Sequence, residues 1–340
     1  MLDPRLVPWN AVLAGLIVAL LLSAAGFLLR RFRPLALALL SIAPVAGWTG
    51  SIWKLNGRLP AFPPLDAPLW SLYFAVAGVL ISGLGMWKRG CSSCIGALAR
   101  AAYLPLLFLL LFKPVFVWAA ASLAWKGLAF GLTGMGIMGV WHRKAGRWPA
   151  AEYAPWVLGL TAASVCLAVT GTASVSLLAL CLAFAAMPPA AAMLADSFGR
   201  HHLTREAEQA ELAMVDGVLT DVEILGEPET RLAKWRPPDS QSITLPLAFA
   251  LPALICSGPL YASTPWSMAC LVLATPVAGF IGLRLMTRVV TRHELKARRR
   301  IANGKLELVA ILLALLTAGI PAAIVITHAM QKSAEEESLY

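Results

Sequence analysis

Two cysteines, Cys91 and Cys94, form the sharpest chemical motif in the sequence, a CxxC pair. This spacing supports thiol–disulfide exchange or supplies two of the four ligands of a metal site. No second CxxC, no nearby histidine and no thioredoxin-like βαβ pattern accompanies the pair. We interpret the two residues as buried or interfacial thiols. A membrane thiol-disulfide oxidoreductase is kept as an alternative function that would use this pair. The sequence predicts no metal site and no cofactor.

Two lysines are the charged residues within the long apolar stretch 101–141, namely Lys113 and Lys126. A charge at the centre of a bilayer costs roughly 2.5 to 3.5 kcal/mol on insertion scales, so such residues are candidates for a substrate or ion pathway. Both lysines can also extend to the outer headgroup region, where Trp118 and Trp125 lie beside them in sequence. We favour this second interpretation and keep both lysines as intramembrane charge candidates.

Carboxylates are the groups that proton- or sodium-coupled transporters use as relays or ion ligands. Outside one loop, every acidic residue is expected to flank an apolar segment or to lie beyond it, with none deep in a helix. These residues are Asp3, Asp66, Glu152, Glu294, Glu307, Glu335, Glu336 and Glu337. The pattern disfavours a coupled transporter, and no residue is named as catalytic.

The composition identifies the environment in which these residues must be positioned. Hydrophobic residues make up 59% of the 340 positions and charged residues 14%, against about half and about a quarter in an ordinary soluble domain. Several separate apolar runs approach 20 residues, the length that spans a bilayer. The net charge of +10 follows from basic residues in cytoplasmic loops, so no direct nucleic-acid partner is predicted.

The apolar runs predict an all-α, polytopic transmembrane bundle of about ten spans with one short cytoplasmic loop subdomain. Residues 1–195 hold about seven helices, residues 196–242 form an acidic loop, residues 243–327 hold about three helices, and residues 328–340 form an external polar tail. The individual spans are expected at about 10–29, 35–53, 69–87, two within 101–141, 154–170, 172–195, 243–261, 266–286 and 306–327.

The distribution of basic residues gives this layout its orientation. All but six of the 28 lysines and arginines fall in segments assigned to the inside, and moving the topology by one helix would reverse the ratio. Both termini are therefore expected outside. The abundance of Ala, Leu, Arg and Trp indicates GC-rich coding, which favours a bacterial cytoplasmic membrane with periplasmic termini.

The loop 196–242 is the acidic region on an otherwise basic face, with ten acids and five bases. Its first half is predicted to be helical, because Thr204 is a suitable N-cap and Leu203, Ala207, Ala210 and Met214 recur at helical spacing. The second half contains prolines and is predicted to be extended. The loop's candidate partner-docking residues are Glu206, Glu208, Glu211, Met214, Trp235 and Arg236.

Three functional classes follow from these features. The first is a non-enzymatic membrane subunit of a larger assembly, such as a secretion or conjugative-transfer machine, which docks a cytoplasmic partner through the acidic loop. The second is a transporter or permease lined by proline-containing helices, and the third is the thiol enzyme. The expected partners are the lipid bilayer and other membrane or cytoplasmic subunits.

Overall fold

The structure is a computed structural model in which the described residues form eight α-helices and no strand. It describes residues 7–30, 32–59, 69–87, 148–170, 173–215, 240–261, 264–297 and 304–337. The helices are α1 (Val7–Leu28), α2 (Arg33–Asn56), α3 (Trp70–Trp87), α4 (Pro149–Val169), α5 (Ala173–Val215), α6 (Ser240–Tyr261), α7 (Trp266–Ala297) and α8 (Gly304–Glu337). An all-helical bundle is therefore confirmed.

Six of the described helices are long and apolar enough to cross a membrane, and α3 and α6 contain shorter apolar segments. Together these eight helices coincide with eight of the ten predicted spans. The remaining two predicted spans fall within 101–141, outside the described residues. The count of ten consequently stays a prediction, whereas the helical, membrane-compatible character of the chain is shown.

Side-chain contacts define two ends of the bundle. The Glu307 carboxylate meets the backbone of Ala150, so α8 and α4 begin at the same end. The Ser164 and Ser176 hydroxyls each donate to the other residue's carbonyl oxygen, at 3.0 and 2.8 Å, so α4 and α5 form an antiparallel hairpin. We call the end where α4 and α8 begin end A, and the opposite end, at Thr170, end B.

The other helices fit the same arrangement. In α2 and α5, Gly47 lies against Ala185, and Ser51, one turn later in α2, lies beside Cys181, one turn earlier in α5. These contacts make α2 antiparallel to α5. Helix α7 starts at end B, since Thr264 just before it contacts Thr170 through hydroxyls 2.6 Å apart, and it then runs toward end A.

The crossing of α1 and α2 depends on residues that lack side chains. A Cβ atom on Gly47 would lie 2.6 Å from the carbonyl oxygen of Gly15 and 2.9 Å from Cβ of Ala19. A Cβ on Gly15 would collide with the Ser51 hydroxyl. Membrane helices approach this closely through small residues because packing, rather than the hydrophobic effect, drives their association.

Among the described residues, α4, α5 and α6 form a well-buried core, in which Leu160, Leu182 and Leu247 are fully buried. In contrast, α1 and α8 expose long rows of apolar side chains. These include Leu13, Ile17, Leu20 and Leu21 on α1, and Leu312, Leu316, Ile320 and Ile324 on α8. Surfaces of this kind suit hydrocarbon rather than water.

Prolines within the spans do not interrupt the helices in which they lie. Pro44, Pro188, Pro189, Pro246, Pro252, Pro276 and Pro321 all fall inside continuous helices. The described helices are therefore continuous proline-containing membrane helices rather than discontinuous ones. Pro105, the remaining proline expected within a span, lies outside the described residues.

Candidate functional site

Three acidic residues are buried toward end A, on α4, α5 and α8. The side chains of Glu152, Asp196 and Glu307 are 5%, 9% and 3% exposed. As predicted, Glu152 and Glu307 lie at the ends of their spans, in the first turns of α4 and α8, whereas Asp196 lies within the continuous helix α5. The sequence pattern does not indicate that neighbouring helices bury these three side chains. Burial of an ionised carboxylate costs several kcal/mol unless polar partners compensate it, so the surroundings of each acid matter.

Glu307 has a clear partner at the start of α4. Its Oε1 accepts a hydrogen bond of 3.0 Å from the backbone N–H of Ala150. The first four N–H groups of a helix have no partner within the helix, and the helix N-terminus carries partial positive charge. The residue preceding α4 is Trp148, which makes no side-chain capping bond. Glu307 therefore supplies from another helix the acceptor that α4 lacks locally.

Glu152 lies in the first turn of the same helix α4, where its negative charge also opposes the positive helix end. Its backbone N–H donates to the carbonyl oxygen of Trp148. Trp148 and Ala151 are buried with residues of α7 and α8 in a small apolar cluster that includes Leu283 and Ala314. The two glutamates thus lie at a junction of three helices that apolar side chains shield from solvent.

Asp196 lies near the end of the apolar segment of α5, beside Ser197, whose hydroxyl donates to the carbonyl oxygen of Met193. Because α5 is antiparallel to α4, Asp196 also lies toward end A. In the sequence, no local signal distinguishes a buried acid from one in the headgroup region. The sequence offers one related signal at α4. Pro149 lies three residues before Glu152, and proline favours the first turn of a helix, so it marks where the helix begins.

Some docking candidates of the acidic loop lie among the described residues and others do not. Glu206, Glu208, Glu211 and Met214 all lie on α5, whose helical backbone continues to Val215. The helix predicted for the first half of the loop is thus an extension of the membrane helix. Trp235 and Arg236 lie outside the described residues, as do Lys113, Lys126, Cys91 and Cys94.

The remaining cysteines differ in exposure. Cys166, Cys181 and Cys256 are buried, as expected for small apolar side chains, but Cys270 on α7 is exposed. None of these four cysteines forms a disulfide bond. Within the described ranges, no group of three or more His, Cys, Asp or Glu residues could hold a metal ion.

Chemically, the buried acids of end A can fix a helix start, and they can also exchange protons if a polar path reaches them. The extension of α5 offers a different kind of site, a helix that leaves the bundle at that end. Comparison of the chain with protein-family models, curated proteins and solved structures gives no match.

Proposed function

We propose that this chain is a non-enzymatic membrane subunit of a larger assembly, and that the extension of α5 docks a soluble partner. The observation that supports the proposal is the continuity of α5. Its apolar segment ends at Phe198, and the same helix continues to Val215. At 1.5 Å per residue, positions 199–215 add about 25 Å of helix at end A.

The order of residues along this extension suits recognition by a partner. Positions 203, 207, 210 and 214, occupied by Leu, Ala, Ala and Met, fall on one stripe of a helix. Glu206 and Glu211 occupy positions on either side of that stripe. Amphipathic helices of this type bind in apolar grooves of other proteins. The partner we propose accordingly has an apolar groove with basic residues along its rims.

A helix continuous with a membrane span has an advantage over a flexible loop. Because its orientation is fixed by the bundle, less conformational entropy is lost when a partner binds. The rest of the loop, with Trp235 and Arg236, is proposed as a second contact. In this proposal end A faces the cytoplasm of a bacterium, and the chain resides in the inner membrane.

A photo-crosslinking experiment in intact cells tests the docking proposal. A photoreactive amino acid is placed at Ala210, on the apolar stripe, or at Arg205, on the opposite side of the same helix. We expect a discrete crosslinked product from position 210 and none from position 205. Charge reversal by Glu206→Lys with Glu211→Lys should abolish that product while the protein remains in the membrane at its normal level.

Two results would count against docking through this helix. One is an identical pattern of products from positions 205 and 210, which would indicate random collisions. The other is a product from position 210 that persists after both charge reversals, because the carboxylates would then contribute nothing to recognition. Glu335→Lys with Glu336→Lys, on α8 at end B, is a charge reversal of the same size outside the α5 extension and should leave the product unchanged.

A transporter is the second candidate function, and the burial of Glu152, Asp196 and Glu307 is the observation that favours it. Buried acids in membrane helices are used in proton relays. Substrate flux or proton movement in vesicles that contain the purified protein alone would support this function. Loss of that flux in Glu152→Gln, but not in Glu335→Gln of the tail, would assign it to the buried acid.

A further inference from the structure

The two sides of α7 near end A differ sharply in their surroundings. One side packs inward, where Leu283, Met286 and Val290 are buried in the apolar cluster with Trp148 and Ala314. The other side faces away from the other helices that the structure describes. There, Ile281, Leu285 and Val289 are each more than half exposed. Exposed apolar side chains at the end of a membrane span are expected to contact lipid.

Two arginines, Arg284 and Arg288, lie on this same outward side of α7 and are exposed. Both fall inside the apolar segment Trp266–Val290. A side chain of this type buries its apolar stem in lipid and directs its charged group to the headgroup region. In the part of the chain that the structure describes, no carboxylate forms an ion pair with either guanidinium. The anionic headgroups of the inner leaflet are a source of negative charge at this depth.

The spacing of basic residues extends this surface along the helix. Arg284, Arg288, Arg292 and Lys296 occur at every fourth position of α7. Positions four apart are neighbours on a helix surface, with about 5 to 6 Å between Cβ atoms. The four positions rotate by about 40° per step, so together they follow the outward side from the apolar segment into the polar region beyond it.

We infer that this side of α7, centred on Arg284 and Arg288, binds the headgroup of an anionic phospholipid. A guanidinium group forms two parallel hydrogen bonds with phosphate oxygens, a geometry that an ammonium group lacks. Two such groups one helical turn apart hold a phosphate between them, while Ile281, Leu285 and Val289 contact the acyl chains. The general preference of basic residues for the cytoplasmic side does not require arginines at this spacing within an apolar segment.

The test measures binding of phosphatidylglycerol to the purified full-length chain, with phosphatidylcholine as the neutral comparison. Lipid retention is counted by native mass spectrometry, and the unfolding temperature is followed as lipid is added. The variant is Arg284→Gln with Arg288→Gln. The control is Lys54→Gln with Arg58→Gln, which removes the same charge from exposed residues at end B.

Each basic residue near an anionic surface contributes about 1 kcal/mol, which corresponds to a factor of about five in affinity. We therefore expect the α7 variant to bind phosphatidylglycerol roughly 25-fold more weakly and to lose most of the lipid-induced rise in unfolding temperature. The end B control should keep the wild-type affinity for phosphatidylglycerol and the wild-type rise in unfolding temperature. Arg284→Lys with Arg288→Lys should show an intermediate affinity, since charge is retained without the two-bond geometry.

Either of two results would overturn the inference. Equal stabilisation of the wild type by phosphatidylglycerol and phosphatidylcholine would show that no headgroup is selected. If phosphatidylglycerol binding is weakened equally in the α7 variant and the end B control, the effect is one of net charge alone. The lipid measurement does not require the soluble partner, so its failure is distinguishable from failure of the docking proposal.

Discussion

Glu307 on α8 accepts a hydrogen bond from the backbone N–H of Ala150, a residue 157 positions earlier in the chain. The contact joins the starts of two parallel helices at end A. It satisfies one N–H of α4 and places a negative charge at the positive end of that helix. A carboxylate expected at the edge of its own span thus helps to determine how two distant spans are aligned.

Replacement of Glu307 by alanine should destabilise the protein markedly. Loss of the acceptor leaves the Ala150 N–H buried without its partner, and a hydrogen bond to a charged group contributes about 1.5 to 3 kcal/mol. We expect Glu307→Ala to lower the free energy of unfolding in detergent micelles by about 2 kcal/mol. Glu307→Gln should lose less, because its amide oxygen can still accept the bond.

The neighbouring residue provides the control for this measurement. Leu308 is 42% exposed on the outer side of α8, and Leu308→Ala alters the same turn without removing an acceptor. If Glu307→Ala is no less stable than Leu308→Ala, the hydrogen bond contributes nothing to the alignment of α4 and α8.

Two glycines of α2 should respond in opposite ways to the same substitution. A Cβ on Gly47 would be within 3.0 Å of Gly15 on α1 and of Ala185 on α5, whereas a Cβ on Gly50 would meet only Val18, at 3.6 Å. Overpacking typically costs 1 to 3 kcal/mol, while glycine within an exposed helix is less stable than alanine by roughly 0.5 to 1 kcal/mol. We expect Gly47→Ala to destabilise and Gly50→Ala to be neutral or stabilising.

Thermal unfolding of the two variants, purified in the same detergent, measures this difference directly. Gly319→Ala on α8 provides a further control, because nothing lies within 4 Å of a Cβ placed there. Similar unfolding temperatures for Gly47→Ala and Gly50→Ala would contradict the close approach of α1, α2 and α5.

The hydropathy of the sequence was sufficient to predict the helices but insufficient to predict their contacts. Runs of apolar residues near span length gave the positions of all eight described helices, since the bilayer imposes that length on each segment separately. The burial of Glu307 could not be predicted in the same way. Its partner, Ala150, lies on another span, and no pattern local to α8 distinguishes a buried glutamate from one at the headgroups.

The acidic loop also shows that contacts between helices cannot be predicted from local sequence. Helical spacing predicted a helix around Ala207 and Ala210, and α5 indeed includes both. The sequence prediction nevertheless ended the preceding span near residue 195 and treated the loop as a separate unit. For the span and the loop helix to be continuous, Asp196 must be accommodated within α5. The burial of Asp196 depends on neighbouring helices, which composition does not reveal.

The hydroxyl groups of Thr170 and Thr264 connect α4 with the residues just before α7 at end B. They lie 2.6 Å apart and are buried, and the Thr170 hydroxyl also lies 3.0 Å from the carbonyl oxygen of Cys166. A neutral hydrogen bond of this kind contributes about 1 kcal/mol. A double-mutant cycle with Thr170→Val and Thr264→Val should therefore give a coupling of about 1 kcal/mol in the free energy of unfolding.

Thr327→Val is the matched control for this cycle. The Thr327 side chain is exposed and bonds only within its own helix α8, so its combination with Thr170→Val should be additive. A coupling between Thr170 and Thr264 no larger than that between Thr170 and Thr327 would indicate that the bond does not form in the membrane-extracted protein.

Labelling of introduced cysteines should determine the membrane orientation. Arg58 follows α2 at end B, and Ala334 follows the apolar segment of α8 at the same end, whereas Glu211 lies on the α5 extension at end A. In a background without native cysteines, an impermeant maleimide should label Arg58→Cys and Ala334→Cys in intact cells. Glu211→Cys should react only after permeabilisation, because basic residues at end A resist translocation.

Labelling at the three positions distinguishes an incorrect fold from a correct fold that is reversed in the membrane. Labelling of positions 58 and 334 from opposite sides would contradict the arrangement of α2 and α8 in the bundle, and labelling of all three from one side would contradict a membrane-spanning α5 or α8. Exposure of position 211 outside, with 58 and 334 inside, would leave the fold intact but reverse its direction. In that case the α5 extension could not meet a cytoplasmic partner, and the proposed docking function would fail.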